Sequence, residues 1–252
     1  MAVDNRPAEL TRFDVMRVPV DHLPEQKLPE AISALVARSG PAQLVLLRWW
    51  DFMRARRERE YRACLKQADI VVPVSRSVAG ATRLLRGVRP SRYMPFNFVI
   101  RVLGALEANG RSVYLLGGGT AALRTVEQNL RETFPGLRFV GRFTGYYSRR
   151  VEADIITAIR KADPDFVLLG PGTPAGDRWM SRHRDQLGNG IFLHTPEVFD
   201  VFSDRRSRGS DVAFRRGLDF LPEFFRKPWR ILRLLLYVWF LILLLVFRVF
   251  RL

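Results

Sequence analysis

Between residues 40 and 195, apolar and polar positions alternate between two rhythms. Short, nearly continuous apolar runs rich in Val, Leu, Ile and Phe fall at 43–47, 69–72, 112–116, 137–140, 165–169 and 190–193. Runs of that length bounded by turn-forming residues predict strands covered on both faces. Between them, apolar residues recur at helical spacing, as Ala122, Val126 and Leu130 within 121–133 and as Ile155, Ile156 and Ile159 within 151–162. That spacing predicts helices with one inward stripe, and two more helices are predicted over 52–66 and 177–187. Regular alternation of strand and helix predicts an α/β fold, a Rossmann-like parallel sheet with helices on both faces.

The rhythm breaks at the end of the chain, where 231–250 reads ILRLLLYVWFLILLLVFRVF. A core helix normally keeps a polar stripe, and this stretch has none, so a hydrophobic membrane helix is expected at 231–252. The uninterrupted apolar run 234–247 gives about 21 Å of helix, short of a hydrocarbon core of roughly 30 Å. The stretch 231–250 would just span it if Arg233 and Arg248 reached the interfaces. In the other arrangement the helix lies in one leaflet, anchored by Trp229, Tyr237 and Trp239. The chain then divides into an N-terminal segment (1–40), an α/β domain (41–204), a basic membrane-proximal appendage (205–230) and the hydrophobic helix (231–252).

Charge sharpens this picture. Of the net +16 carried by 252 residues, +8 lies in 205–252, which holds eleven Lys and Arg against three acids. A basic collar beside an apolar helix attracts anionic lipid headgroups, so Arg226, Lys227, Arg230, Arg233 and Trp239 are the expected membrane-binding residues and membrane lipid an expected partner. Basic flanks favour the cytoplasmic face, and the first fourteen residues carry no apolar signal core. Nucleic acid is not an expected partner, because the chain shows no zinc-finger spacing, basic-aromatic RNA signature or isolated basic recognition helix. Cys64 is the single cysteine, and His22, His183 and His194 are scattered, so neither a disulfide nor a metal site is expected.

In parallel sheets, ligands meet the turns after the strands. Gly117, Gly118 and Gly119 lie between a predicted strand and a predicted helix, where bare backbone approaches a phosphate or simply turns tightly. Gly170-Pro171-Gly172-Thr173-Pro174 forms a second turn at the same edge, with Thr173 placed to cap a helix or touch a ligand. Gly117, Gly118, Gly119 and Thr173 are the candidate ligand-binding residues of this edge.

Around these turns the chain resembles the WecG/TagA/CpsF glycosyltransferases of bacterial cell-envelope polysaccharide synthesis. The resemblance covers about residues 40 to 233. It rests on Ala68-Asp-Ile-Val-Val-Pro73, Tyr114-Leu-Leu-Gly-Gly118, Phe134-Pro-Gly-Leu-Arg138 with Gly141, and Thr144-Gly-Tyr-Tyr147. It continues through the helix ending at Ala162, Asp163-Pro-Asp-Phe-Val-Leu-Leu-Gly-Pro-Gly-Thr-Pro174, Arg178-Trp179, Phe199-Asp200 and Gly217-Leu-Asp219, with Pro228, Arg230 and Arg233 downstream. The resemblance implies transfer of an N-acetylhexosamine from a UDP-sugar donor to a polyprenyl-diphosphate-linked glycan, no further cofactor, a basic C-terminal appendage at the membrane, and a homo-oligomer formed through the sheet domain. It also implies a nucleotide-sugar as the ligand of Gly117, Gly118, Gly119 and Thr173.

The resemblance weakens where chemistry is expected. Inverting transfer needs a base for the acceptor hydroxyl and groups that hold the departing UDP. Where the family carries Pro-Asp-Gly after the second strand, this chain reads Pro73-Val74-Ser75, and the family's Thr and Asn after the first strand correspond to Leu46 and Arg48. Pro-Lys-Gln-Glu has become Pro174-Ala175-Gly176-Asp177, paired glycines have become Pro196-Glu197, and Arg-x-x-Gly-x-Asp reads Arg92-Tyr-Met-Pro-Phe-Asn97. Asp200, Glu197 and His194 are the candidate replacement catalytic residues. Two functions stay open at this point: an altered membrane-associated glycosyltransferase, or an inactive relative serving as a membrane-bound binding or scaffolding subunit.

Overall fold

The computed structural model describes residues 7, 8, 10–210, 214 and 232–250. It opens with an antiparallel hairpin, β1 (Thr11–Val15) and β2 (Val18–His22). The connecting residues Met16 and Arg17 both have positive φ, 53° and 70°, the backbone of a two-residue hairpin turn whose twist matches its strands. The hairpin falls within the expected N-terminal segment 1–40, where the sequence rhythm marks no strand. The main sheet contains β3 (Pro41–Leu47), β4 (Ile70–Pro73), β5 (Ser112–Leu116), β6 (Arg138–Phe143), β7 (Phe166–Leu169) and β8 (Gly190–His194). All six lie parallel in the order β4-β3-β8-β7-β5-β6, which bears out the predicted α/β fold.

Side-chain alternation along these strands builds two apolar layers. Leu44, Leu46, Val72, Val113, Leu115, Leu168 and Leu193 pack with α1 (Leu28–Ala37), α5 (Pro95–Glu107), α6 (Thr120–Thr133) and α9 (Pro196–Phe202). On the other face, Val45, Leu47 and Val71 pack with α2 (Trp49–Arg57), α3 (Arg59–Gln67), α4 (Arg76–Arg86) and the hairpin. Tyr114, Leu116, Val167 and Phe192 meet α7 (Glu152–Ala162) and α8 (Asp177–His183) there. The helix predicted over 52–66 is in fact the pair α2 and α3, broken at Glu58, whose backbone is extended (φ −92°, ψ 114°). The change of direction lets Phe52 and Met53 before the break, and Tyr61 and Leu65 after it, all reach the same core.

The hairpin covers the edge strand β4. Fully buried Asp21 accepts two hydrogen bonds from the Arg12 guanidinium, both 2.7 Å, and a third at 2.6 Å from the Val71 backbone amide. A donor that an edge strand would otherwise present to solvent is thereby satisfied, which blunts edge-to-edge pairing.

The last helix, α10 (Leu232–Phe250), lies against the body. Buried Phe240 and Leu244 pack on the α2 side, with the Phe240 ring 6.1 Å from Trp49 and 6.0 Å from Phe52. The Arg56 guanidinium stands 5.5 Å over the Phe247 ring, and Arg248 donates to the Leu84 carbonyl at 2.7 Å. On the opposite face, Val238, Ile242, Leu245 and Val249 are 48, 46, 59 and 72 % exposed. Among the described residues no helix is long and apolar enough to cross a membrane. The expectation of a spanning helix is therefore corrected: one face of α10 is used against the protein, and the two arginines bracket an apolar stretch of only about 21 Å. A sequence that is apolar all round carries no contrast from which the docked face can be read.

Candidate active site

The carboxyl ends of β3, β4 and β8 open onto one patch of polar side chains. Leaving β3, the chain passes Arg48 and starts α2 at Trp49, whose amide donates to Ser75 Oγ at 2.9 Å. The Val74 amide donates to the Leu47 carbonyl, so the exits of β3 and β4 are laced together and the Val74 side chain is turned into the core. An apolar group thus stands at the resemblance-implied position of the base. Arg48 forms an ion pair with Glu197 on α9, bridging the exits of β3 and β8. Asp200 lies one turn further along α9 and is half-buried, with its carbonyl accepting from the Arg205 and Arg206 amides.

Asp177, the first residue of α8, organises the rest. Its Oδ2 accepts from the Tyr61 hydroxyl at 2.9 Å, its carbonyl accepts from Gln43 Nε2 at 2.7 Å, and its Oδ1 lies 3.6 Å from His194 Nδ1. Gly176 precedes it with φ +57°, and a Cβ there would come within 3.0 Å of His194 Cε1. Burial raises the Tyr61 hydroxyl far above its ordinary range and lifts the Cys64 thiol to about 11, with the Asp177 charge adding to both. Cys64 is therefore a buried thiol rather than a nucleophile.

Asp51 on α2 belongs to the same patch. Burial, then repulsion from Asp177, raises its carboxyl from 3.8 to about 6, against the opposing pull of Arg48. A carboxylate whose folded pKa lies above its unfolded value destabilises the fold fully above the folded pKa, and the penalty fades as pH falls toward the unfolded one. Asp51→Asn is thus expected to raise stability at pH 7.5 by on the order of 2 kcal/mol, allowing for the group's partial exposure. Thermal melts from pH 7.5 to 4 check this. The gain should shrink through pH 6 and vanish near pH 4, and a gain independent of pH would exclude the carboxyl as its cause.

The glycine turn is tightly committed. Gly117 has φ +149°, and a Cβ on it would lie 2.5 Å from Gly170 Cα; one on Gly118, φ +65°, would lie 2.8 Å from the Phe199 ring. Their amides donate to the Phe143 and Pro171 carbonyls, at 3.0 and 2.7 Å. These two glycines let three turns pack closely. Gly119, at the start of α6, is the member of the three with open space beyond it. The Thr173 hydroxyl is buried and donates to the Gly170 carbonyl at 3.0 Å, inside its own turn. Arg226, Lys227 and Arg230 lie outside the described residues, Arg233 falls on the backbone of α10, and Trp239 is half exposed on that helix. Among the described residues no group of three or more His, Cys, Asp or Glu side chains could hold a metal ion.

Sequence reading missed Asp51, Tyr61 and Gln43. No motif marks them, since each joins the patch through a helix or strand packed behind the turns. Asp177 carried a signal of its own, an acid at the last position of the altered Pro-Lys-Gln-Glu segment.

A profile of the glycosyl transferase WecG/TagA/CpsF family matches residues 13–252. The chain is similar to an N-acetylglucosaminyldiphosphoundecaprenol N-acetyl-beta-D-mannosaminyltransferase of Bacillus spizizenii, 23% identical over 229 residues, covering 90% of this chain and 82% of the relative. A protein of the same name from Staphylococcus aureus is 19% identical over 223 residues, covering 88% of this chain and 87% of that one. With its six-stranded parallel sheet and a match that covers residues 13–252, the chain belongs to the WecG/TagA/CpsF glycosyltransferase family.

Proposed function

We propose that this protein transfers an N-acetylhexosamine from a UDP-sugar to a polyprenyl-diphosphate-linked glycan while resting on the cytoplasmic face of a membrane. The observation that carries the reading is the patch at the carboxyl edge of the sheet. Although Val74 replaces the acid after β4, Asp51, Asp177, His194 and Arg48 bring acid-base and anion-binding groups to the region where the fold binds ligands. Retaining a buried charge at a cost in stability is the behaviour of a functional site. Membrane residence is supported by the outward apolar face of α10 together with the concentrated positive charge of 205–252. The helix would lie in the plane of the leaflet and bury Val238, Ile242, Leu245 and Val249 among the acyl chains, with Trp239 at the headgroups.

A second reading, a non-catalytic membrane-bound subunit, is favoured by the Arg48–Glu197 pair, which ties up two charges across the mouth of the site. Calorimetric titration with UDP and UDP-N-acetylhexosamines separates the two. Micromolar binding is expected of the transferase, and absence of binding up to millimolar concentration would leave the subunit reading.

A further inference from the structure

We propose that His194, oriented by Asp177, is the base that takes the acceptor proton in this chain, and that Gly176 is glycine because the His194 ring fills the space beside it. The inference rests on the transferase reading above and names the residue that performs its proton step.

Three observations meet at this point. Asp177 is held by two independent contacts, the Tyr61 hydroxyl on its Oδ2 and Gln43 Nε2 on its carbonyl, while its Oδ1 faces His194 Nδ1 at 3.6 Å. A carboxylate beside one ring nitrogen favours the tautomer with the proton on that nitrogen, leaving Nε2 free to accept another. The second observation is steric. A Cβ on Gly176 would press on the His194 ring at 3.0 Å, and the residue's φ of +57° is itself one that side chains avoid. The glutamine implied at this position by the resemblance would crowd the imidazole where it stands and hold a strained backbone, which links the two departures from the family pattern. The third is the state of the competing groups. Val74 is apolar and in the core, and Glu197 is paired with Arg48. Beside His194, the buried Thr195 hydroxyl has no hydrogen-bond partner among the described residues.

The step balances. The acceptor hydroxyl oxygen forms a bond to the anomeric carbon, the bond from that carbon to the UDP phosphate oxygen breaks, UDP departs with the electron pair, and the hydroxyl proton passes to His194 Nε2. The resulting imidazolium sits against Asp177, with Asp51 adding negative charge to the same patch, and Arg48 and Glu197 offset each other.

The test uses the full-length protein on vesicles containing a polyprenyl-diphosphate-linked N-acetylglucosamine and UDP-N-acetylmannosamine. His194→Ala and His194→Gln are expected to lower turnover at least 100-fold, as loss of a general base does, with the KM for UDP-sugar and the melting temperature close to native. Added imidazole should restore part of the turnover of the alanine variant, which a merely structural histidine would not permit. Asp177→Asn, acting through the histidine, should lower kcat rather than raise the KM for donor. If the native protein turns over and both His194 variants keep their rate within about threefold, the base lies elsewhere and the inference falls alone. If the native protein neither binds UDP-sugar nor turns over, the transferase reading falls and takes this inference with it.

Discussion

Replacing Val238, Ile242 and Leu245 with aspartate is expected to detach the protein from vesicles rich in anionic lipid, with a loss of affinity of roughly 1000-fold. These three side chains lie on the face of α10 opposite Phe240 and Leu244, about half exposed and outside the core cluster that those two join. Transferring each half-exposed side chain into the acyl boundary is worth about 1.5 kcal/mol, and three of them account for about 4.5 kcal/mol, or roughly three decades in binding. New carboxylates opposite anionic headgroups add repulsion. Because the docked face is untouched, the melting temperature should stay near native, which separates loss of a lipid contact from loss of the helix. Vesicle co-sedimentation of native and triple variant at two ionic strengths checks the prediction. Equal sedimentation of both would mean that other parts of the chain carry the membrane contact.

The largest expected effect on stability belongs to Asp21. Replacing it with alanine leaves the Arg12 guanidinium largely buried and deprives the Val71 amide of its acceptor. Breaking one side of such a buried pair costs about 3–5 kcal/mol, which corresponds to a fall in melting temperature of about 10 °C for a chain of this size. The loss should exceed that of the double variant Arg12→Ala/Asp21→Ala, because removing both partners removes the stranded charge. Denaturant melts of the two variants measure the difference directly. A single variant no less stable than the double one would show that the pair does not hold the hairpin on β4.

How much of this was legible in the sequence follows from where each signal lies. All six strands of the main sheet were readable as short apolar runs between turn formers. In β3, β4, β5, β7 and β8 burial on both faces leaves little room for polar residues, whereas the edge strand β6, mostly exposed, was legible from its run 137–140 alone and not from burial. The turns at Gly117 and Gly170 were readable as turns. Their amides and the space around them were not, since the committed contacts come from Phe143, Pro171 and Phe199, each on another element. The break at Glu58 escaped a reading based on charge and helical spacing, because both halves keep helical periodicity and only tertiary packing bends them apart. The hairpin at 11–22 escaped because its mixed sequence, with Asp14, Asp21 and Arg12, lacks the apolar run of the central strands. In the site, His194 and Glu197 were picked out by type and place, but their partners were hidden: Asp177 lies across the β7–β8 crossover and Arg48 follows a different strand.

Transfer itself is the most direct measurement. Full-length protein incubated with UDP-N-acetylmannosamine and vesicles bearing polyprenyl-diphosphate-linked N-acetylglucosamine should yield a lipid carrying one added N-acetylhexosamine and one equivalent of UDP, both read by mass spectrometry. That mass increase, dependent on both substrates, is the result predicted by a working site at the carboxyl edge of the sheet. Intact lipid and intact UDP-sugar after prolonged incubation, with other UDP-N-acetylhexosamines equally inert, would contradict it.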